Sequence, residues 1–442
     1  MIVIIGNGIS GVTAARNIRK RSDEEIIIVS SESDYFFSRT ALMYIFMGHM
    51  KFEHTKPYEN HFWKKNRIEL LNAFVLNIDT DNKSLTTKGG NTIKYDKLIL
   101  ATGSKPNKFG WKGQDAEGVR GLYSKQDLDY IEQRSTRIKK AVIVGGGLIG
   151  IEMAEMFLSR NIKVDFLIRE DYFWNNVLPN SNSKFIMKHF DRHHGLNMIY
   201  SEELDVINTD GNNEAVSVLT KNGATIKCDF VGLTAGVSPN IQFVKDSGIK
   251  CNRGILINEF FETSAKDVFA IGDCAEFEIA LPGRRTIEQV WYTGKIMGET
   301  LAKNLTGEKN AYNPGYWFNS AKFMDIEYQT YGTILNQLTE GQEEFVYEHP
   351  KQEILLHFVF EKASRKFIGI NNFGIRMRHP VFNNWLLNNA SIEEVLTDLK
   401  SANFDPEFYT KYEDDIIQQF NEKFGTSIIV NKAKWWQKLI KA

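Results

Sequence analysis

The chain has 442 residues, 42% of them hydrophobic and 25% charged, with 54 Lys plus Arg against 55 Asp plus Glu. At about 100–200 residues per domain this predicts two to four domains, and a net charge of −1 excludes whole-protein attraction to nucleic acid. Three cysteines, Cys228, Cys251 and Cys274, are too few for a disulfide scaffold or a multi-cysteine metal cluster. The opening apolar run breaks at Gly6, without the basic start and cleavage site of a secretory signal. No run of about 18 apolar residues predicts a transmembrane helix. A reduced cytoplasmic setting is therefore expected.

Ile2 to Ile5 is a short β-branched run, as in a strand buried on both faces of a parallel sheet. Gly6-Asn7-Gly8-Ile9-Ser10-Gly11 follows, then a predicted helix from Val12 to Arg21 and a strand over Glu25 to Val29. Tyr95 to Gly103 reads as a strand ending in a small-residue turn, Ala101-Thr102-Gly103. The opening pattern returns as a strand over Lys140 to Val144, a turn over Gly145 to Gly150, a helix over Ile151 to Ser159 and a strand over Val164 to Ile168. Asp267 to Asp273 is a further strand, ending in Gly272-Asp273. Two βαβ units imply two doubly wound domains. Past residue 312 the texture changes to alternating, aromatic-rich stretches, predicting antiparallel strands over 316–322, 326–334, 353–361 and 366–371. Helical patterns follow over 381–389 and 391–399, the second opened by a Ser391/Glu394 capping box.

Each GxGxxG sits between a predicted strand and a predicted helix, the context in which the motif binds a dinucleotide. In Gly6, Gly8, Gly11 and again in Gly145, Gly147, Gly150, the first glycine makes the turn and the second admits a pyrophosphate. The third lets helix and strand pack closely, and Leu148 and Ile149 open the second helix. The helix N-terminus offers its dipole to the phosphates. Glu32, just past the second strand, is placed to accept ribose hydroxyls, the alternative being a solvated surface carboxylate.

The order Gly6, Ala101-Thr102-Gly103, Gly145, Gly272-Asp273 resembles the pyridine nucleotide–disulfide oxidoreductase superfamily over roughly residues 1–310. Within it, Val29-Ser30-Ser31-Glu32, Ser38-Arg39-Thr40-Ala41-Leu42 and Glu288-Gln289-Val290-Trp291 are similar to stretches of the rubredoxin, ferredoxin and nitrite reductase flavoproteins. The resemblance implies one FAD site built by the first glycine turn (with Ser10), Ala101, Thr102, Gly103, Gly272 and Asp273, the last on the ribitol. It puts Val75 in the strand whose backbone meets the adenine. Arg39, Glu152 and Glu288 are implied to act beside the reacting rings, Glu152 near the nicotinamide. It also implies an FAD domain over 1–110 and 239–311, an NAD(P) domain over 111–238 inserted in it, and an α+β interface domain over 312–442.

The disulfide reductases of this superfamily carry reactive cysteines near residue 40, where this chain reads Phe37-Ser38-Arg39-Thr40-Ala41-Leu42-Met43-Tyr44. Thiol–disulfide exchange and cysteine-based peroxide reduction therefore lack their nucleophile. Cys274 reads as a small buried residue beside a cofactor turn, and Tyr44 stands where relatives often have a flavin-side lysine. At the end of the strand over Val164 to Ile168 an acid would bind the 2′-hydroxyl of NAD and an arginine a 2′-phosphate. Ile168 stands where NADH enzymes have Glu, so Arg169 points to NADPH, while Glu170 would repel that phosphate.

The expected activity is hydride transfer from NAD(P)H to flavin, then electron transfer to a small redox protein, a quinone or oxygen. The alternatives are a monotopic NADH:quinone oxidoreductase, whose AQxxxQ pattern is missing here, and a slow-turnover redox sensor or scaffold. A homodimer is expected. The tail Asn431–Lys441, with four Lys and two Trp, reads as a terminal helix packed on its own domain in preference to a membrane or partner anchor.

Overall fold

The computed structural model describes residues 1–405 and 410–429. These form two compact units, Met1–Glu170 with His194–Pro314, and Asp171–His193 with the chain from Gly315 onward. The Trp-Lys tail lies outside the described residues.

The first unit holds the two expected parallel sheets. In one, the strand order is Val268–Ala270, Lys97–Leu100, Ile2–Ile5, Ile26–Ser30, Ile68–Asn72. In the other it is Leu196–Ile199, Lys163–Leu167, Lys140–Val144, Phe230–Leu233, Val119–Arg120. The central strands Ile2–Ile5 and Lys140–Val144 are covered on both faces, which is why they read as unbroken apolar runs. Each sheet is accompanied by a three-stranded antiparallel sheet, Val75–Asp79/Ser84–Thr87/Thr92–Lys94 for the first and Leu204–Thr209/Ala215–Thr220/Thr225–Lys227 for the second. The chain leaves the first fold along Ser104–Pro106 and returns along Val237–Pro239. These two segments pair antiparallel, Ser104 opposite Pro239, so the insertion hangs from a two-stranded ribbon.

The second unit is built on an antiparallel sheet ordered Phe318–Phe323, Ile326–Gly332, Phe367–Phe373, Leu355–Glu361, Gln342–Glu348. Leu356, Phe358 and Phe360 face a core completed by Phe382, Trp385, Val395 and Phe420 from the helices His379–Leu387, Ile392–Thr397 and Glu413–Phe424. On the opposite face His357 meets Asn182 of the helix Asn180–Phe190 at 3.1 Å. With both faces covered, Leu355–Glu361 is apolar almost throughout, and the Ser391/Glu394 box caps its helix as expected. Besides the helix Asn180–Phe190, two elements of this unit were not expected from sequence. The strand Gln342–Glu348 begins Gln-Glu-Glu and hides its alternation. The helix Glu413–Phe424 buries only Ile416, Ile417 and Phe420.

Candidate functional site

Both glycine turns divide their work in the same way. A Cβ on Gly6 would collide with the backbone oxygen of Ala101, and one on Gly145 would lie 2.6 Å from that of Thr234; both glycines have φ near +115°. A Cβ on Gly11 would strike the Gly6 oxygen, and one on Gly150 would lie 2.5 Å from that of Gly145. Those four glycines let backbone touch backbone. Gly8 and Gly147 differ: nothing lies within 4 Å of where their Cβ would sit. Each is the N-cap of its helix, Ile9–Arg19 and Leu148–Ser159, with extended backbone and no side-chain cap. No side chain caps the first-turn N–H groups, and the positive end of the helix dipole lies behind them, which suits a pyrophosphate.

Around the first turn, Asn7 donates to the Ser33 carbonyl at 2.9 Å and accepts from Ser30 Oγ at 2.9 Å, tying the turn to the end of Ile26–Ser30. Glu32 follows that strand but is not a free acceptor. Arg39 grips it with both terminal nitrogens, Nη1 at 2.7 Å, and the Lys125 N–H donates to it at 3.1 Å. Of the roughly four acceptor sites on a carboxylate, one is left for a ribose hydroxyl. Burial pulls the Arg39 guanidinium down, but Glu32 more than offsets this and holds it above its usual value. The Arg39 guanidinium also lies 4.6 Å from the Tyr123 ring centroid. Tyr123 in turn accepts the Ser104 N–H at 2.9 Å.

Ala101, Thr102 and Gly103 lie where Lys97–Leu100 leaves the sheet, with Thr102 donating to the Asn240 carbonyl at 2.7 Å. Gly272 and Asp273 form a short 3-10 turn after Val268–Ala270. Asp273 accepts Ser104 Oγ at 3.0 Å, and Ser104 Oγ accepts Gln289 Nε2 at 2.6 Å. Burial raises the Asp273 carboxyl, while Ser104 and Arg39 lower it by less. Ser10 is lodged between Gly272, Gly294 and Gly298, so its side chain serves packing in the first instance. Val75 is buried and belongs to the antiparallel sheet, opposite Thr87.

Glu288 lies in the loop before the helix Trp291–Leu305. Arg284 holds it bidentately, Nη2 at 2.6 Å, and Thr293 Oγ1 donates to it at 3.1 Å. Both charged side chains of that pair are about nine-tenths buried. Glu152 is half-buried, one turn into the helix Leu148–Ser159. Arg169 and Glu170, expected to act in opposition, are paired with each other at 2.7 Å, and Glu170 raises the guanidinium above its usual value. All three thiols are made less acidic by burial, Cys228 to about 12. Tyr123, Ser104 and Arg284 carried no sequence signal that singled them out. Gln289 stood within a quoted stretch but without a role.

The description "Pyridine nucleotide-disulphide oxidoreductase" belongs to a family model that matches residues 1–295. The assimilatory nitrate reductase electron transfer subunit of Bacillus subtilis is 30% identical over 278 residues, covering 62% of this chain but 36% of that protein. The NADH-rubredoxin oxidoreductase of Clostridium acetobutylicum is 32% identical over 314 residues, 71% of this chain and 76% of that protein. The crystal structure of NADH:rubredoxin oxidoreductase from Clostridium acetobutylicum matches with a TM-score of 0.70 at 26% identity, covering 95% of this chain and 99% of that one. With two dinucleotide turns on two parallel sheets, and a family match over most of its length, the chain belongs to the pyridine nucleotide–disulphide oxidoreductase family of FAD-dependent NAD(P)H oxidoreductases.

Proposed function

We propose that this chain is an NAD(P)H-dependent flavoprotein reductase that passes electrons to a small redox protein, with oxygen or a quinone as further acceptors, and uses no thiol chemistry. The observation that carries the reading is the pair of open N-caps at Gly8 and Gly147, each buttressed by glycines that admit no side chain. Bound FAD would supply the two-electron centre that accepts hydride from NAD(P)H. The residues 1–110 and 239–311 would hold FAD, with the Gly8 turn on its pyrophosphate and Asp273 on its ribitol. Residues 111–238 would hold the nicotinamide nucleotide, with Gly147 on its pyrophosphate and Glu152 near the ring. Arg39, fixed by Glu32, would stand as a fixed positive charge, and Arg284 would keep Glu288 in one orientation. Burial keeps the Cys274 thiol protonated, which supports chemistry without sulfur. The named activities of the rubredoxin and nitrate reductase relatives support a protein acceptor. A homodimer and a cytoplasmic setting complete the proposal; among the described residues no helix is long and apolar enough to cross a membrane. The test is anaerobic titration of the purified yellow protein with NADH and NADPH, followed by rubredoxin, ferredoxin, quinone and oxygen. Bleaching of the flavin band and its fast return with one acceptor are expected. A flavin band that neither nucleotide bleaches would overturn the proposal.

A further inference from the structure

In the second unit, three side-chain atoms converge on one point, apart from both glycine turns. His189 lies in the last turn of the helix Asn180–Phe190, and His193 follows one turn later, its backbone N–H donating to the Phe190 carbonyl at 3.0 Å. Asp325 sits in the two-residue turn that joins Phe318–Phe323 to Ile326–Gly332, where Phe323 faces Ile326. His189 Nε2 lies 2.7 Å from Asp325 Oδ1 and 3.1 Å from His193 Nε2, and His193 Nε2 lies 3.5 Å from the same Asp325 oxygen. Ligands about 2.0–2.1 Å from a tetrahedral zinc ion stand roughly 3.3–3.4 Å from one another. The triangle is already close to that size.

The proton count supports a cation at its centre. His189 Nδ1 lies 2.9 Å from Glu353 Oε1, and Arg192 pairs with the same carboxylate oxygen. A carboxylate can only accept, so Nδ1 carries the proton. With that proton on Nδ1, His189 turns its Nε2 toward the carboxylate of Asp325 and the ring nitrogen of His193. One proton on Nε2 could be directed to either neighbour but not to both. A metal ion satisfies all three atoms at once. The hydrogen bond from the ring's other nitrogen to a carboxylate is the outer-shell arrangement that fixes a ligating histidine's tautomer and raises its basicity. His189 is 4% exposed, whereas Asp325 is 74% exposed, so the ligands run from the interior to solvent. That leaves room for water in a fourth position.

We propose that His189, His193 and Asp325 form a divalent transition-metal site of the zinc class, with Glu353 orienting His189. Two imidazoles and one carboxylate suit zinc over calcium or magnesium, which prefer all-oxygen sets. The ion would clip the end of the Asn180–Phe190 helix to the hairpin turn. Binding would release a proton wherever a histidine was charged.

The test uses untagged, full-length, FAD-loaded protein stripped with a chelator, then given zinc chloride in competition with a chromophoric chelator. One zinc per chain should remain after desalting, by elemental analysis, and thermal unfolding should move to higher temperature with zinc. His193→Ala, at a partly buried position, and Asp325→Ala, at an exposed one, should each weaken zinc by about 100-fold or more. Glu353→Gln should weaken it by about 10- to 100-fold, the usual cost of losing an outer-shell partner. His61→Ala, an exposed histidine on the separate helix Asn60–Lys65, should leave zinc binding unchanged. Cobalt in place of zinc should give visible d–d bands that vanish in His193→Ala. No retained zinc in the wild type, or equal retention in His193→Ala and Asp325→Ala, would overturn the site.

Discussion

Alanine at Gly8 and alanine at Gly11 should damage the protein in opposite ways. Gly8 has φ −75° and open space where a Cβ would go, so the backbone accepts alanine without strain. The cost to the free fold is that of a poorer helix cap, about 0.5–1 kcal/mol, or roughly 1–2 °C in melting temperature for a unit of this size. The methyl group would instead occupy the approach to the first-turn amides. Losing one amide–phosphate bond, at about 1.5–3 kcal/mol for a charge-assisted contact, weakens FAD by about 10- to 100-fold. Gly11 is the converse. Its Cβ would press on the Gly6 carbonyl oxygen at under 3.0 Å, and backbone cannot swing aside as a side chain can. Gly11→Ala should therefore cost about 1–3 kcal/mol of stability as an overpacked contact. The assays are circular-dichroism melting of the flavin-free protein and FAD titration by quenching of flavin fluorescence. If Gly8→Ala binds FAD as tightly as the wild type, the pyrophosphate does not lie over Gly8 and the cradle is misassigned.

Replacing Cys228, Cys251 and Cys274 together by Ser or Ala should leave NAD(P)H–dye turnover within about tenfold, since a larger loss corresponds to roughly 1.4 kcal/mol of barrier; steady-state rates on folded variant decide it. Arg169→Ala should raise the NADPH Michaelis constant by about tenfold or more and barely move that for NADH, through loss of a charge-assisted bond. Glu170→Ala should lower it, by freeing Arg169 from its 2.7 Å partner; initial-rate measurements with both nucleotides check the pair. His379, whose ring centre is 4.0 Å from that of Phe318, has its protonation lowered by burial from the ordinary value of 6.5. The unfolded chain then binds more protons than the native one. Its stabilising contribution is full above 6.5 and lost as pH falls through the lowered folded value. His379→Phe should remove up to one proton's worth of slope from denaturant-derived stability between 6.5 and the lowered folded value, and an unchanged slope would refute the assignment.

The parts of the fold legible in sequence were those whose signal is local. Ile2–Ile5 and Lys140–Val144 announce buried parallel strands by composition alone, and the glycine turns announce themselves by spacing. What stayed hidden depends on partners distant in sequence or ambiguous in role. Glu32 and Arg39 were each assigned to the cofactor, but nothing in a seven-residue separation says that they grip each other. Glu170 looked like a repelling charge and is a partner. Tyr123 reaches Ser104 and Arg39 only because the chain returns to the mouth of the first sheet. The helix Asn180–Phe190 follows a nucleotide-fold strand in sequence, yet its buried Asn182 bonds Asn371 and His357 of the antiparallel sheet. A polar residue in an amphipathic helix gives no hint of that address.

The lodging of Ser10 between Gly272, Gly294 and Gly298 has a consequence for biosynthesis. The first helix emerges early from the ribosome, but the surfaces that bury it emerge last in this unit. So does Val268–Ala270, the edge strand beside Lys97–Leu100. At about 5–20 residues per second, the N-terminal βαβ unit waits roughly 12–55 s for its closing strand and helix. During that wait the inserted nucleotide fold, whose parallel sheet draws only on the chain from Val119 to Leu233, can complete itself. The later-encoded fold should therefore mature first, and the opening segment should be the portion of the nascent chain most in need of a chaperone. Stalled chains ending before Val268 should show protease-resistant material from the insertion and none from the N-terminus.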